Sequence, residues 1–218
     1  MIRIISGIYK GRRLKLVPSA AVRPMQGKVK GALFNILGDR LRGAVCLDGF
    51  SGTGSIGLEA LSRGAGKCVF VDELDASIRV IKQNIAKVGA EESSVVVHKE
   101  FNRAVIDLAK QGVRFDIIFL DPPYRLLEER NPLKVIRKRG VLKSGGLIVL
   151  RHHFKTRPKL GDFKLERRVT LGDDVLALFS PLPPETVAEE TAAVKAEASP
   201  RTPKPRLPGA ARSPKMGS

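Results

Sequence analysis

Two short stretches of this 218-residue chain combine residue types that can do chemistry together. The first, Asp121-Pro122-Pro123-Tyr124, follows the apolar run Phe115 to Leu120. Consecutive prolines stop a strand and fix φ at each position, so their carbonyls are expected to lack ladder partners and to face a ligand. This arrangement suits the exocyclic amine of a nucleobase, a poor nucleophile because its lone pair is delocalised into the ring. With its two hydrogens held by the Asp121 carboxylate and the Pro122 carbonyl, the nitrogen can pyramidalise and aim its lone pair at an electrophilic carbon. No strong base is needed beforehand, since the amine becomes acidic once it has bonded to a methyl group. Tyr124 offers a flat face on which a base that has left its own stack can rest. The plain alternative is a strand-ending Pro-Pro turn preceded by an acid.

The second stretch runs from Asp48 to Gly57 and contains Gly52, Gly54 and Gly57 as GxGxxG, with Asp72 lying 20 residues beyond Gly52. These features satisfy the dinucleotide-binding fingerprint and leave an NAD-dependent enzyme open. Two observations count against it. Asp48 precedes the glycines, where a dinucleotide needs no buried charge, and Asp-Pro-Pro-Tyr has no role in hydride transfer. A carboxylate before a glycine loop instead suits an amino acid's ammonium group, directly or through water. S-adenosylmethionine carries that ammonium, a sulfonium, and a ribose diol that can donate to Asp72. The plain alternative is a tight turn closing strand onto helix.

Residues so far apart in sequence meet only if a fold gathers them. Val45 to Leu47, Cys68 to Val71, Val95 to Val97, Phe115 to Leu120 and Leu147 to Leu150 are short apolar runs. Between them, Ile56 to Ser62, the series Ile78, Ile81, Ile85, Val88, and Val105 to Ala109 have helical spacing. Apolar strands alternating with helices predict an α/β, doubly wound, mostly parallel sheet covered on both faces. Ligands bind such sheets beyond the strands' carboxyl ends, where Asp48, Asp72, Glu100 and Asp121 all fall. Upstream, Ile2 to Ile8 with Tyr9 to Lys15 reads as a two-stranded ribbon turning at Gly7 or Gly11. Val29, Leu33, Ile36 and Leu37 then form the core face of a helix.

Lys and Arg outnumber Asp and Glu by 39 to 22, a formal charge of +17 that points to a polyanion, nucleic acid first. Residues 1–44 hold ten basic and one acidic residue, residues 45–124 nine and eleven, and residues 125–180 fourteen and six. A slightly acidic centre between basic flanks fits a small cationic ligand between phosphate-binding surfaces. Residues 1–44 are therefore expected to be a basic extension of ribbon plus helix, with Arg3, Lys10, Arg12, Arg13, Lys15, Arg23 and Lys28 as RNA contacts; a merely solvated face is the alternative. Residues 45–180 are expected to form the catalytic domain. Residues 181–218, with eight of the fourteen prolines and no aromatic residue, read as a disordered tail. No apolar run approaches the ~20 residues of a membrane span, so a cytoplasmic protein is expected. Cys46 and Cys68 read as buried hydrophobes, and the three histidines have no metal-ligand spacing, so no metal is expected.

With these motifs in place the chain resembles S-adenosylmethionine-dependent amino-methyltransferases, with Asp48 to Gly57 as motif I and Asp121 to Tyr124 as motif IV. More narrowly, from residue 1 to about residue 180 it resembles the RsmD family, bacterial enzymes that methylate N2 of a guanine in 16S rRNA of the small ribosomal subunit. The resemblance rests on Arg3 to Gly7 with Lys10-Gly11-Arg12, on Arg23-Pro24, Val29-Lys30 and Ala32 to Leu37, and on Gly57 to Ala65. Phe115-Asp116, Phe119 to Tyr124 and Leu142-Lys143 with Gly145 to Val149 complete it. It implies a Rossmann-like methyltransferase fold and S-adenosylmethionine as cofactor. Asp48, Gly52, Gly54 and Gly57 would lie on the methionine side with Phe50 also against the cofactor, Asp72 on the ribose, and Glu100 and Phe101 near the adenine. Asp121, Pro122 and Tyr124 would act on the base, and the partner would be 16S rRNA in the small subunit or an assembly intermediate, met by a monomer.

Some residues depart from the family pattern. Met25 to Gly31 lacks the usual hydroxyl and acidic residues, Gly49 replaces an apolar residue, Phe101 a small one, and Arg151 a Glu. An adenine-N6 or cytosine-N4 nucleic-acid methyltransferase is the alternative among enzymes, disfavoured because no separate target-recognition domain is left. A non-catalytic RNA-binding module of methyltransferase-like fold is the alternative outside them.

Overall fold

The computed structural model describes residues 2–18, 25–123, 126–127, 130–156, 158 and 163–182. Arg23, Tyr124 and the tail from residue 183 onward lie outside the described residues. The chain begins with an antiparallel pair, β1 (Ile2–Arg3) and β2 (Arg13–Leu14), followed by α1 (Gly27–Leu37). Five parallel strands then alternate with helices: β3 (Val45–Gly49), α2 (Ser55–Ser62), β4 (Lys67–Asp72), α3 (Asp75–Val88), β5 (Ser94–His98), α4 (Phe101–Lys110), β6 (Phe115–Leu120), α5 (Pro132–Arg139) and β7 (Leu142–His153). Each expected apolar run is a strand; the inner ones are buried on both faces and have no polar side to alternate with, while β5 at the sheet edge is half-exposed.

The sheet order is β5-β4-β3-β6-β7, extended by a hairpin, β8 (Phe163–Leu171) and β9 (Asp174–Pro181), whose second strand inserts antiparallel between β7 and β8. Sequence periodicity does not reveal β8. It is an edge strand whose Lys164, Leu165, Glu166, Arg167 and Arg168 are exposed, so it has no apolar run and is protected by charge. One face of the sheet packs with Leu33, Phe34, Leu58 and Ile81 from α1, α2 and α3, and the other with Val105, Leu108, Leu133 and Ile136 from α4 and α5. Cys46 and Cys68 are free and buried side by side on β3 and β4. Strand order reverses between β3 and β6, which opens a crevice at their carboxyl ends. No helix among the described residues is long and apolar enough to cross a membrane.

The N-terminal ribbon is shorter than expected: Ile4 still exchanges backbone bonds with Gly11 and Arg12, but beyond it the chain bonds to the domain. Ile5 and Ser6 N–H groups donate to the Glu59 carboxylate at 2.8 and 3.0 Å, and the Ile8 and Tyr9 N–H groups donate to the carbonyl and hydroxyl of Ser62 at 2.8 and 2.9 Å. Gly7 permits this approach: a Cβ there would stand 1.7 Å from the Ser62 carbonyl oxygen. Helix α2 is consequently buried on every side, and Glu59 is 0% exposed. The Lys30 ammonium, 1% exposed, lies 3.2 Å from Glu59 and donates to the Arg3 carbonyl at 2.9 Å. Arg63 adds a second cation at 2.9 Å. Further along, Asn84 on α3 accepts from the Lys15 N–H at 2.7 Å and holds the Lys15 and Thr53 carbonyls. The extension thus docks through its backbone and apolar residues, while Arg3, Lys10, Arg12, Arg13, Lys15 and Lys28 are exposed.

Candidate active site

The loop between β3 and α2 is pinned to the end of β4. Ser51 N–H donates to the Val71 carbonyl at 3.0 Å, Gly52 N–H to Asp72 Oδ2 at 2.8 Å, and Leu74 N–H to Asp72 Oδ1 at 2.9 Å. The turn takes Phe50, Gly52 and Gly54 to φ of 61°, 54° and 74°. Left-handed backbone is rare for an aromatic residue and marks a locally over-determined site. Asp48 lies beneath this loop, 1% exposed, with Oδ2 accepting from the Gly57 N–H at 2.9 Å. Burial pushes its carboxyl well above the usual carboxylate range; the Gly57 bond opposes this, and the charges of Asp121 and Asp72 add to it. Gly57 packs α2 onto β4, where a Cβ would stand 2.3 Å from the Phe70 ring.

A cavity of about 990 Å³ opens over the carboxyl ends of the strands. Of the sequence-predicted residues, Phe50, Gly52, Asp72, Glu100, Phe101, Asp121 and Pro122 line it together. Asp48, Gly54 and Gly57 do not; they stand behind the wall and shape the loop that forms it. Met25 and Gln26, from the segment that departs from the family pattern, line it too. Among the described residues, six lining carboxylates (Asp72, Glu73, Glu100, Asp121, Asp173, Asp174) face three lining cations, Lys99, Arg130 and Arg151. That excess fits a cationic cofactor such as S-adenosylmethionine. Asp72 already accepts two backbone bonds, and each oxygen keeps a further lone pair for a ribose hydroxyl. Glu100 caps α4, accepting from the Arg103 N–H at 3.0 Å, and stands 3.6 Å from Arg130. Among the described residues no group of His, Cys, Asp and Glu is arranged to hold a metal.

Asp121 follows β6 directly. Arg151 Nη1 donates to its two oxygens at 2.9 and 3.2 Å. Pro123 departs from the expectation for the proline pair, because its carbonyl accepts from the Leu126 N–H at 2.9 Å. Pro122 is buried in the cavity wall.

Gly49 and Phe101, separate departures in sequence, meet in space. A Cβ at Gly49 would come within 2.5 Å of the Phe101 ring, and that ring stacks on Phe50 with centroids 4.9 Å apart. The large residue at 101 fills the volume left by the small one at 49. Gly49→Ala alone is expected to destabilise the fold by about 1–3 kcal/mol through overpacking. Added to Phe101→Leu, the same change is expected to be much better tolerated. Urea unfolding of the two single variants and the double variant measures the coupling, and strict additivity would contradict it.

This arrangement has known counterparts. A family model described as Conserved hypothetical protein 95 matches residues 2–180. YlbH of Bacillus subtilis is 36% identical over 179 residues, which is 81% of this chain and 97% of that protein. The ribosomal RNA small subunit methyltransferase D of Haemophilus influenzae is 37% identical over 153 residues, 67% of this chain and 76% of that one. The chain belongs to the RsmD family. The solved structure of yhhF from Escherichia coli superposes on this RsmD-family chain with a TM-score of 0.70 at 32% identity, covering 83% of this chain and 97% of its own. Arg151 and Asp174 also line the cavity, and the family motifs do not point to either. The one sequence signal for them is that Arg151 stands where the family usually has Glu.

Proposed function

We propose that this RsmD-family chain transfers a methyl group from S-adenosylmethionine to the exocyclic N2 of a guanine in 16S ribosomal RNA of the small subunit. The observation that carries this reading is the convergence of Asp121 and Pro122 with the Gly52 loop, Asp72 and Phe101 on one acid-lined cavity. When bound, the cofactor supplies an electrophilic methyl group. Gly52, Asp72, Glu100 and the Phe50–Phe101 pair would hold it along β3, β4 and β5. Asp121 would accept one hydrogen of the target amine and the Pro122 carbonyl the other, the Pro123 carbonyl being committed to Leu126. Tyr124, adjacent in sequence, would stack the extruded base. The cavity is at the large end of the range for single small-molecule sites, in keeping with room for cofactor and base together.

The exposed Arg3, Lys10, Arg12, Arg13, Lys15 and Lys28 would take phosphates, with Arg23 as a further contact. The small-subunit rRNA named for the Haemophilus influenzae relative supports the same substrate class. The test is methyl-labelled cofactor incubated with small or large ribosomal subunits from cells lacking the modification. Label on small-subunit rRNA alone is expected; equal labelling of both subunits, or none, would overturn the reading. If six cations engage phosphates, RNA affinity should fall on the order of 10³-fold between 50 and 200 mM salt. Cofactor affinity should barely change, as filter binding and calorimetry would show.

A further inference from the structure

Asp121 and Arg151 occupy equivalent places on neighbouring strands: Leu120 of β6 pairs in register with Leu150 of β7, and each residue comes next. Arg151 also reaches across to β9, where its Nε and Nη2 both lie 2.9 Å from Asp174 Oδ1. All three side chains are largely buried, at 20%, 13% and 11% exposure for Asp121, Arg151 and Asp174. One guanidinium is thus shared between two carboxylates at the mouth of the site. We infer that Arg151, held from behind by Asp174, is a positioning residue for methyl transfer, fixing the plane of the Asp121 carboxylate and keeping its oxygens as acceptors for the target amine.

Two charge-assisted bonds fix the rotation of a carboxylate that a single bond would leave free. They consume one lone pair on each oxygen and leave another for an amine hydrogen. Arg151 and Asp174 neutralise each other, so the triad keeps one net negative charge. That charge faces the amine as it becomes positive on bonding to the methyl group. Burial raises the Asp121 carboxyl above its ordinary range; the Arg151 charge and hydrogen bonds oppose this, and the Asp174 charge reinforces it. Asp48 on β3 is coupled to Asp121 by charge, and His153 and Asp173 line the same cavity.

These opposed effects give a test that a merely structural role would not pass. The inference rests on the role given to Asp121 in the proposed function, so two readouts are needed: the pH dependence of kcat, and the titration of the Asp121 carboxyl carbon by NMR in the free protein. Arg151→Gln is expected to move both to higher pH, because it removes what favours the ionised form. Arg151→Lys should restore part of the shift. Asp174→Asn keeps an acceptor for Arg151 but removes the repelling charge, so both should move to lower pH. Equal loss of kcat at every pH, an unmoved NMR titration, or shifts of the same sign in Arg151→Gln and Asp174→Asn would overturn the inference. The NMR titration needs no turnover, so it stands even if the unaltered chain methylates no RNA. Normal transfer with an unmoved titration would sink the inference alone.

Discussion

Asp121→Ala is expected to lower kcat for methyl transfer by about 10³-fold, in the range seen when one preorganised polar contact to a reacting centre is lost. Affinity for S-adenosylmethionine should be nearly unchanged. The reason is placement: Asp121 follows β6, whereas the residues assigned to the cofactor lie at or just beyond the ends of β3, β4 and β5. The substitution is unusually clean for a buried charge. Arg151 keeps Asp174 at 2.9 Å, so no buried cation is left without a carboxylate, and the fold should persist. Single-turnover kinetics and calorimetry separate the two effects. Loss of cofactor binding in parallel with kcat would move Asp121 to the cofactor's side of the site.

Glu59→Ala should produce the largest loss of stability. Glu59 accepts from the Ile5 and Ser6 N–H groups and pairs with Lys30 and Arg63, all around a side chain with no exposure. Removing it leaves two amides unsatisfied and Lys30 buried without its carboxylate. Breaking a buried pair in this way costs about 3–5 kcal/mol, which for a unit of this size lowers Tm by roughly 10 °C. Because the same carboxylate fastens the basic extension to α2, RNA affinity should fall as well, and the Ile5 and Ser6 amides should exchange faster with solvent. Glu59→Gln, which keeps an acceptor, should fall between the two. Thermal unfolding and hydrogen exchange check this; a loss under about 1 kcal/mol would show that the extension is held elsewhere.

The parallel sheet is readable because its inner strands are buried on both faces and apolar throughout, and even the half-exposed edge strand β5 keeps Val95 to Val97; the opposite edge, β8, is hidden because it carries charge in place of that signal. The basic extension was readable as a charge, not as a docked segment. In sequence Glu59 is one acid within a helix, and nothing local says that two backbone amides and Lys30 converge on it. Asp48 stood out as an acid before a glycine loop, but spacing does not say which way a carboxylate faces. It faces the Gly57 amide at 2.9 Å, so its influence on a cofactor would pass through the loop. Gly49 and Phe101 are separate departures in sequence, and only their contact in space makes them one packing arrangement. Arg151 shows the same limit, since its meaning depends on Asp174, 23 residues away on another strand.

Digestion of the methylated rRNA to nucleosides, with mass spectrometry of the labelled product, tests the central claim most directly. The account predicts N2-methylguanosine as the single labelled nucleoside, formed by the unaltered chain and not by Asp121→Ala. Label in N6-methyladenosine or N4-methylcytidine would contradict the assignment of guanine, and undiminished product from Asp121→Ala would contradict the chemistry assigned to the site.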